Sequence, residues 1–383
     1  MKKVMLLFFA LVMSCSALFF APVGAENVVL AQNCKAVCLC DAKSGQIVYA
    51  RNETMHLPIA SMCKIMTLLL SFEAEESGKI GFEDEVCVSE RAAGMGGSQV
   101  FLEAGGKYPV KDLIESICIA SANDSCVAMA ETICGSEELF VKKMNERAEQ
   151  LGMKDTSFSD CTGLPKEGQY SCARDVAVML RELLKKDAYF KFSKIWMDEM
   201  HHSGGRVTQM ANTNKLIRNY QGCDSGKTGY TSEAGFCLAA SAARGETRVV
   251  SVVIGAPDSK TRFDGVAELF DYAFANFTSK CVLEEKVLQD QKCEVKGGKK
   301  REISVIPQRA CYLFGSKGES DKIEIEINVK AIKAPVAIGD IVGEAVVFKN
   351  GVESDRIKLL ANEESAKNGY FDCIRDLAEN WTI

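Results

Sequence analysis

Two serines and two lysines have types and spacings that could build a nucleophilic site. Lys64 follows Ser61 by three residues, and Ser121 and Lys227 lie in short polar strings further along the chain. A serine hydroxyl becomes nucleophilic only when a nearby base accepts its proton. On a helix, residues three apart share one face, which brings Lys64 beside Ser61. The spacing therefore predicts a serine nucleophile with a lysine base.

A lysine serves as a base only when its amine loses its proton near neutral pH. Burial or a second nearby cation favours the neutral amine. Lys227, the first residue of a Lys-Thr-Gly string, is the candidate for that second cation. A histidine triad is disfavoured because the chain has three histidines, His56, His201 and His202, and two of them are neighbours.

A phosphate-binding loop is a second interpretation of the string that contains Lys227. It fails on spacing, because Gly222 and Gly226 enclose three residues where that motif requires four. The chain has 383 residues and a formal net charge of −6, with no basic stretch suited to phosphate backbones. We expect no nucleic-acid partner and a fold of two domains, or one domain with an appendage.

The first 25 residues are typical of a secretory signal peptide. Lys2 and Lys3 precede an apolar run through Phe20, and small residues end at Ala25. The alternative is an uncleaved anchor helix, although the run is slightly short for a full span. Lipidation at Cys15 fits poorly because the preceding residues do not match a lipobox. The sequence therefore predicts export.

Seventeen cysteines in an exported chain would normally indicate a disulfide framework. Most of them are scattered inside apolar runs, where a cysteine behaves as a small hydrophobic residue. Cys34, Cys38 and Cys40 invite a metal-site interpretation, but no second cluster with ligand spacing follows. We expect core thiols, and neither a metal nor a cofactor.

Hydrophobic periodicity predicts the elements that must position these residues. Helices are expected over residues 61–77, 110–120, 124–134, 138–151, 174–186 and 263–277. Strands are expected over residues 37–41, 47–51, 227–229, 235–243, 248–256 and 322–330. The helix that starts at Ser61 is apolar on nearly every side and should be buried.

The chain divides into four predicted segments. They are a signal peptide (1–25), a main domain (26–279), a small β-rich domain (280–360) and a tail (361–383). Two interpretations of the tail stay open. It is either a short amphipathic helix at a membrane surface or a solvated terminal segment, because acidic residues outnumber basic ones there.

Three strings are thus expected at a helix start, an interhelical turn and a strand: Ser61-Met-Cys-Lys64, Ser121-Ala-Asn123 and Lys227-Thr-Gly229. With them in these places, the chain resembles the penicillin-recognising serine D,D-peptidases. More narrowly, it is similar to the low-molecular-mass penicillin-binding proteins that are D-alanyl-D-alanine carboxypeptidases. The likeness covers roughly residues 34–277. It is carried by Ala60-Ser-Met-Cys-Lys-Ile-Met-Thr67, Gly97-Ser-Gln99, Ala120-Ser-Ala-Asn-Asp124, Met144-Asn-Glu146, Thr162-Gly-Leu164, Asn212-Thr-Asn214 and Lys227-Thr-Gly-Tyr-Thr231.

The resemblance implies an α/β (α+β) fold of the β-lactamase and D,D-peptidase type. That fold has an antiparallel sheet flanked by helices, an all-helical subdomain and, in this family, a C-terminal β domain. It also implies hydrolysis of the terminal D-alanine from peptidoglycan stem pentapeptides, covalent inhibition by β-lactams, and a location on the outer side of a bacterial cell membrane or in the cell-wall space.

The family mechanism assigns a role to the serines, the lysines and Asn123 of the three strings. Ser61 would attack the carbonyl between two D-alanines while Lys64 takes its proton. Ser121 would relay a proton to the leaving amine, Asn123 would hold the substrate amide, and Lys227 would keep Lys64 neutral.

The strand that follows Lys227 is implied to bind substrate. Thr228 would bind the terminal carboxylate, and the N–H groups of Ser61 and Tyr230 would form the oxyanion hole. Gly229 and Thr231 complete the predicted substrate-binding strand.

Three departures from the family pattern stand near these strings. Cys63 replaces the usual threonine, Cys161 stands where proline or another residue is common, and Ser225-Gly226 precedes the lysine. We expect Cys63 to be a packed thiol rather than a redox-sensitive one, and Gly226 to loosen the strand edge.

Two other functions share parts of this pattern. A class A β-lactamase needs a glutamate that activates the deacylating water, and Glu167 is the nearest candidate. A catalytically silent muropeptide-binding protein would have no use for the complete set of Ser61, Lys64 and Lys227.

Overall fold

The structure is a computed structural model that describes residues 28–318 and 320–369. The predicted signal peptide lies outside the described residues, as do tail residues 370–383. In the described part, no helix is both long and apolar enough to span a membrane.

The helices and strands, in chain order, have the following bounds. The helices are α1 (Lys64–Glu76), α2 (Glu90–Ala93), α3 (Val110–Ile119), α4 (Asn123–Cys134), α5 (Glu137–Gln150), α6 (Ala173–Leu183), α7 (Tyr189–Ser193), α8 (Leu216–Asn219) and α9 (Ser259–Asn276). The strands are β1 (Ala36–Asp41), β2 (Ile47–Arg51), β3 (Glu85–Cys87), β4 (Lys107–Pro109), β5 (Met197–His201), β6 (Val207–Ala211), β7 (Cys223–Thr231), β8 (Gly235–Arg244), β9 (Thr247–Ala256), β10 (Phe277–Leu283), β11 (Lys292–Lys296), β12 (Glu302–Pro307), β13 (Cys311–Ser316), β14 (Ile323–Val329), β15 (Ile332–Lys333), β16 (Ile341–Lys349) and β17 (Val352–Ala361).

An antiparallel five-stranded sheet in the order β2-β1-β9-β8-β7 is the centre of the main domain. Side chains alternate between the two faces of a strand, so each face of this sheet packs into a different hydrophobic core. Val249 and Val253 of β9 pack with α9, whereas Val250 and Val252 face the core that contains α1 and α6. The layers predicted from the resemblance are confirmed.

Helix α1 is buried around its whole circumference, as its sequence predicted. It packs against α3, α4, α5 and α6, which form the helical part of the main domain. A single α-helix was expected to begin at Ser61. The structure differs, because residues Ala60–Cys63 form a 3₁₀ turn and the α-helix begins at Lys64.

The C-terminal region is β-rich, as predicted. Its larger sheet has six strands in the order β14-β16-β17-β12-β11-β15, and β10 pairs with β13. The two regions share packing, because Phe314 of β13 is buried in the core beneath α9 and stacks on Phe277.

Backbone pairing continues past the predicted boundary at residue 360. Beyond β17 the chain stays extended, and Ser365 and Lys367 form bridges to Val336 and Gly298. Backbone hydrogen bonds in both directions between Val336 and Ser365 attach this segment to the β region. No helix begins at Glu363, and the β region extends at least to residue 369 in the described part of the chain.

Candidate active site

The structure brings Ser61 and Lys64 into direct contact. Nζ of Lys64 donates to Oγ of Ser61 at 2.9 Å and to the carbonyl oxygen of Thr162 at 2.6 Å. A 3₁₀ turn has three residues per turn, so side chains three apart stand directly above one another. Lys64 is fully buried, whereas Ser61 is partly exposed. The hydroxyl is therefore accessible, and the amine beside it is shielded from water.

A second serine and lysine form an equivalent pair, with the lysine close enough to Lys64 for their charges to interact. Nζ of Lys227 donates to Oγ of Ser121 at 2.9 Å and to the carbonyl oxygen of Thr228 at 3.1 Å. Ser121 lies in the turn between α3 and α4 with φ of +62°, a left-handed conformation that costs a non-glycine residue about 1–3 kcal/mol. This strained turn thus holds the Ser121 hydroxyl against the buried amine of Lys227.

Burial and the neighbouring Lys64 ammonium lower the pKa of Lys227 to about 7. Only 1% of Lys227 is exposed, and a buried ammonium loses hydration that water would supply. Two amines in one buried site disfavour double protonation, because like charges repel strongly where water is excluded. The pair of lysines can therefore exist with one neutral amine near pH 7.

Asn123 begins α4, two residues after Ser121. Its main-chain N–H donates to the carbonyl oxygen of Ser98, and its Nδ2 donates to that of Gly96 at 2.7 Å. Its Oδ1 is buried and has no hydrogen-bond donor among the described residues. A buried acceptor without a donor is costly, so this oxygen is a candidate for contact with a bound molecule.

One carboxylate, which the sequence analysis did not single out, shapes the loop beside Lys64. Oδ1 of Asp160 accepts from the N–H groups of Thr162 and Gly163, both at 2.6 Å, and from the Thr162 hydroxyl. Its Oδ2 accepts from Gln169. These bonds fold the loop so that the Thr162 carbonyl points at Lys64. The Asx pattern of Asp160 with the two following residues was the available signal.

Two glycines allow the elements around Ser61 to approach closely. A Cβ atom at Gly163 would overlap the carbonyl oxygen of Ala60, and Gly163 has φ of +84°. A Cβ atom at Gly229 would lie 2.7 Å from the carbonyl oxygen of Ile59 and 3.2 Å from the nitrogen of Ser61. The loop and β7 thus press on the backbone of the turn that carries the hydroxyl.

The predicted substrate-binding residues lie along β7. Thr228 is buried and its hydroxyl bonds the Thr213 hydroxyl at 2.8 Å. Tyr230 is 56% exposed and packs on Phe236, and the Thr231 hydroxyl accepts from the N–H of Ala234.

The expectation that Gly226 loosens this strand is wrong. Its φ is +145°, and a Cβ atom there would lie 2.6 Å from the carbonyl oxygen of Ala239 on β8. Glycine is thus required for β7 to pair closely with β8 at the residue before Lys227.

Sequence reasoning also missed Arg262, which is buried in α9 behind β7. Its guanidinium donates to the carbonyl oxygens of Gly229 and Cys237, and its Nε has no acceptor in the described part of the chain. It forms no ion pair with a described carboxylate. A lone arginine in a helix gives no sequence signal of this position.

The thiols near the site are packed, as predicted. Cys63 is fully buried, and its Sγ donates to the carbonyl oxygen of Asp160 at 3.3 Å. Burial raises the pKa of the Cys63 thiol. The fifteen cysteines of the described residues are all free, and most are buried.

The alternative chemistries find no support in this geometry. Glu167 is exposed, and no carboxylate of the described residues bonds Ser61 or Lys64. His56 pairs with Asp155 and stacks on Tyr170. The site as a whole combines an accessible hydroxyl, two buried amines and an open acceptor, which suits acyl transfer.

Comparison with known proteins decides the family. The family model described as D-alanyl-D-alanine carboxypeptidase matches residues 25–258, and a model of the penicillin-binding protein 5 C-terminal domain matches residues 278–367. The chain belongs to the D-alanyl-D-alanine carboxypeptidase family. It is 40% identical over 361 residues to D-alanyl-D-alanine carboxypeptidase DacF from Bacillus subtilis, covering 94% of this chain and 92% of the relative.

Other members of the family agree over similar lengths. D-alanyl-D-alanine carboxypeptidase DacA from Escherichia coli is 30% identical over 347 residues, covering 88% of this chain and 85% of the relative. The structure of penicillin binding protein 5 from Haemophilus influenzae matches with a TM-score of 0.70 and 28% identity, covering 90% of this chain and all of that one.

A structure of PBP3 from Streptococcus pneumoniae, titled a peptidoglycan synthesis regulatory factor, has a TM-score of 0.72 and 26% identity. It covers 88% of this chain and all of that one. This carboxypeptidase therefore removes terminal D-alanine from peptidoglycan stem peptides by way of an acyl-enzyme, and it binds β-lactams.

Proposed function

We propose that Ser61 carries the acyl group in this carboxypeptidase and that Lys64 removes the proton from its hydroxyl. The observation that carries this assignment is the 2.9 Å contact between Lys64 Nζ and Ser61 Oγ. The second acceptor of Lys64, the carbonyl oxygen of Thr162, fixes the direction of the amine without neutralising it. The amine is thus aimed at the hydroxyl whose proton it accepts.

Ser121 and Lys227 serve the departing D-alanine. Protonation of the leaving nitrogen requires a donor on the side of the cleft opposite Lys64, and the Ser121 hydroxyl is held there by Lys227. Because the pKa of Lys227 is lowered to about 7, its ammonium can supply a proton through Ser121 near neutral pH. Lys227 also places a second amine in the same buried site as Lys64.

The remaining residues orient the peptide. Oδ1 of Asn123 accepts an amide N–H of the substrate, since it has no donor within the described residues. The Thr228 hydroxyl and the Arg262 guanidinium bind the terminal carboxylate of the substrate. This carboxylate is the anionic partner that Arg262 does not have among the described residues. The N–H groups of Ser61 and Tyr230 bind the oxyanion. Gly229 permits the close approach of β7 to Ser61, and Thr231 ends the strand. Loss of one such donor costs about 3 kcal/mol in serine hydrolases.

Mass spectrometry after penicillin treatment tests the assignment of Ser61. We expect one adduct on the peptide that contains Ser61, and release of D-alanine from a stem pentapeptide. Ser61→Ala should lose both, whereas the matched variant Ser77→Ala, at the end of α1, should keep both. An adduct that persists in Ser61→Ala would refute the assignment while leaving the family membership intact.

We also propose that the protein is exported through residues 1–25 and that the tail contacts the membrane surface. The basic and apolar start of the sequence supports export, and Phe371 and Trp381 are suited to an interface. Flotation with phospholipid vesicles should recover the full mature chain but not a chain that ends at Gly369. Equal recovery of the two chains would exclude the tail as the contact.

A further inference from the structure

A second cleft lies between the main domain and the C-terminal β region, on the side of the sheet where β1 ends and β9 begins. Its volume is about 900 Å³, within the range of sites that hold organic ligands. The end of α6 and the β1–β2 turn form one wall, and β13, β16 and β17 form the other. The residues of the carboxypeptidase site do not line it.

Cationic side chains dominate the walls of this interdomain cleft. The lining cations are Lys43, Arg181, Lys185, Arg248, Arg309 and Lys349, whereas Asp355 is the one carboxylate that lines it. Four of these cations come from the main domain and two from the β region. The chain as a whole has a net charge of −6, so the lining of this cleft is opposite in charge to the rest of the protein.

Most of the carboxylates that pair with these cations do not line the cleft. Arg248 pairs with Asp224, Lys349 with Asp321, and neither carboxylate lines the cleft. Within the described residues, these six cations have five carboxylate partners: Glu182, Asp224, Glu246, Asp321 and Asp355. The net charge of this group is small, but the positively charged side chains are the ones that line the cavity. A cleft with low-dielectric walls strengthens the positive potential inside it.

Two of the cations are available to a ligand. Arg181 donates only to the carbonyl oxygens of Ala42 and Lys43 and forms no ion pair within the described residues. Lys43 lies 3.3 Å from the ring centre of Tyr312 and has a 3.4 Å contact with Glu246, which is 61% exposed. Exposed ion pairs contribute little to stability, so an incoming anion can replace Glu246 at little cost.

We propose that this cleft binds a linear anion whose phosphate groups are joined by short carbon units, that is, a phosphodiester-linked polyol chain. Arginine and lysine from both walls bind the phosphates. Leu184 and Leu313 line the same cleft and contact the carbon units between them. Because both domains supply cations, the bound chain joins the main domain to the β region.

Titration calorimetry with a synthetic glycerol-phosphate oligomer tests the proposal on the full mature chain. We expect 1:1 binding, a higher melting temperature in the complex, and an affinity that falls about tenfold as salt rises from low to physiological concentrations. Lys43→Gln combined with Lys185→Gln should weaken binding at least tenfold. The matched pair Lys79→Gln and Lys142→Gln, exposed lysines outside the cleft, should not weaken it.

Each other result contradicts the proposal. Absence of oligomer binding, or an equal loss in both double variants, removes the cleft as the site. Equal affinity for inorganic phosphate indicates a simple ion site, and equal affinity for polyglutamate indicates non-specific attraction to anions. Penicillin acylation of every variant should match the parent protein, which separates this test from that of the catalytic residues. Arg181→Gln gives an independent variant if either lysine substitution alters the fold.

Discussion

The carbonyl oxygen of Thr162 lies 2.6 Å from Nζ of Lys64, and the carboxylate of Asp160 holds it there. Asp160 is almost fully buried and accepts both N–H groups of the turn that follows it. A residue without a catalytic role of its own thus fixes the direction of the amine that faces Ser61. We regard Asp160 as a positioning residue.

Asp160→Ala should lower the rate of acylation by a β-lactam roughly tenfold to a hundredfold. The substitution leaves two buried N–H groups without an acceptor, at about 1–3 kcal/mol each, and releases the Thr162 carbonyl. Asp160→Asn retains an acceptor oxygen and should lose less activity. Stopped-flow fluorescence with a labelled penicillin measures both rates. Equal rates in the alanine variant and the parent would remove Asp160 from the positioning of Lys64.

Gly163→Ala should abolish acylation and lower stability, because its Cβ atom would overlap the carbonyl oxygen of Ala60. Gly152→Ala is the matched control. Gly152 also has a positive φ, of +72°, but a Cβ atom there meets nothing within 4 Å. The control should lose stability from backbone strain alone and remain active. Thermal unfolding and penicillin labelling distinguish the two effects, and an active Gly163→Ala would contradict the overlap.

Lys227 should make stability depend on pH in a defined direction. Its pKa falls from 10.5 to about 7 on folding, so the unfolded chain binds more protons between those values. The free energy of unfolding contributed by Lys227 therefore rises with pH across that window, by at most about 1.4 kcal/mol per pH unit.

Lys227→Met should flatten that rise and be more stable than the parent below pH 7, while losing acylation. Urea denaturation at several pH values measures the effect. Lys79→Met, at an exposed position, should follow the parent curve. If the free energy of unfolding changed with pH in the same way in the parent and in Lys227→Met, the lowered pKa of Lys227 would be ruled out.

Alkylation of the native protein should modify Cys87 and Cys281 but spare Cys63. The first two are exposed, whereas Cys63 is fully buried and burial raises the pKa of its thiol. Peptide mapping after iodoacetamide treatment checks this, and β-lactam acylation should be unchanged. Modification of Cys63 without unfolding would instead make it the redox-sensitive neighbour that we considered from sequence.

The nucleophile could be inferred from sequence because its determinants are local. Ser61 and Lys64 are three residues apart, so any helical turn aligns them. The turn at Ser121 and the strand at Lys227 also carry local signals, a polar break between apolar helices and a change of periodicity. The order of the strands and the layers followed from the family resemblance rather than from periodicity.

Long-range contacts account for what the sequence did not reveal. Arg262 reaches Gly229 only because α9 packs behind β7. Gly226 was misinterpreted because its positive φ depends on the partner strand, which supplies the carbonyl of Ala239. The pairing beyond residue 360 could not be predicted either, because the bridge from Ser365 to Val336 has no signature in composition.

The position of Phe314 limits how far the two parts of this enzyme are modular. This aromatic side chain belongs to the β region by sequence, yet it fills the core beneath α9. A gene fragment that ends after α9 would encode a catalytic domain with an unfilled apolar wall. During synthesis, that wall is completed only after β13 has emerged. The C-terminal region thus supplies part of the core of the catalytic domain, and we expect an exchange of this region between relatives to need an aromatic residue at this position.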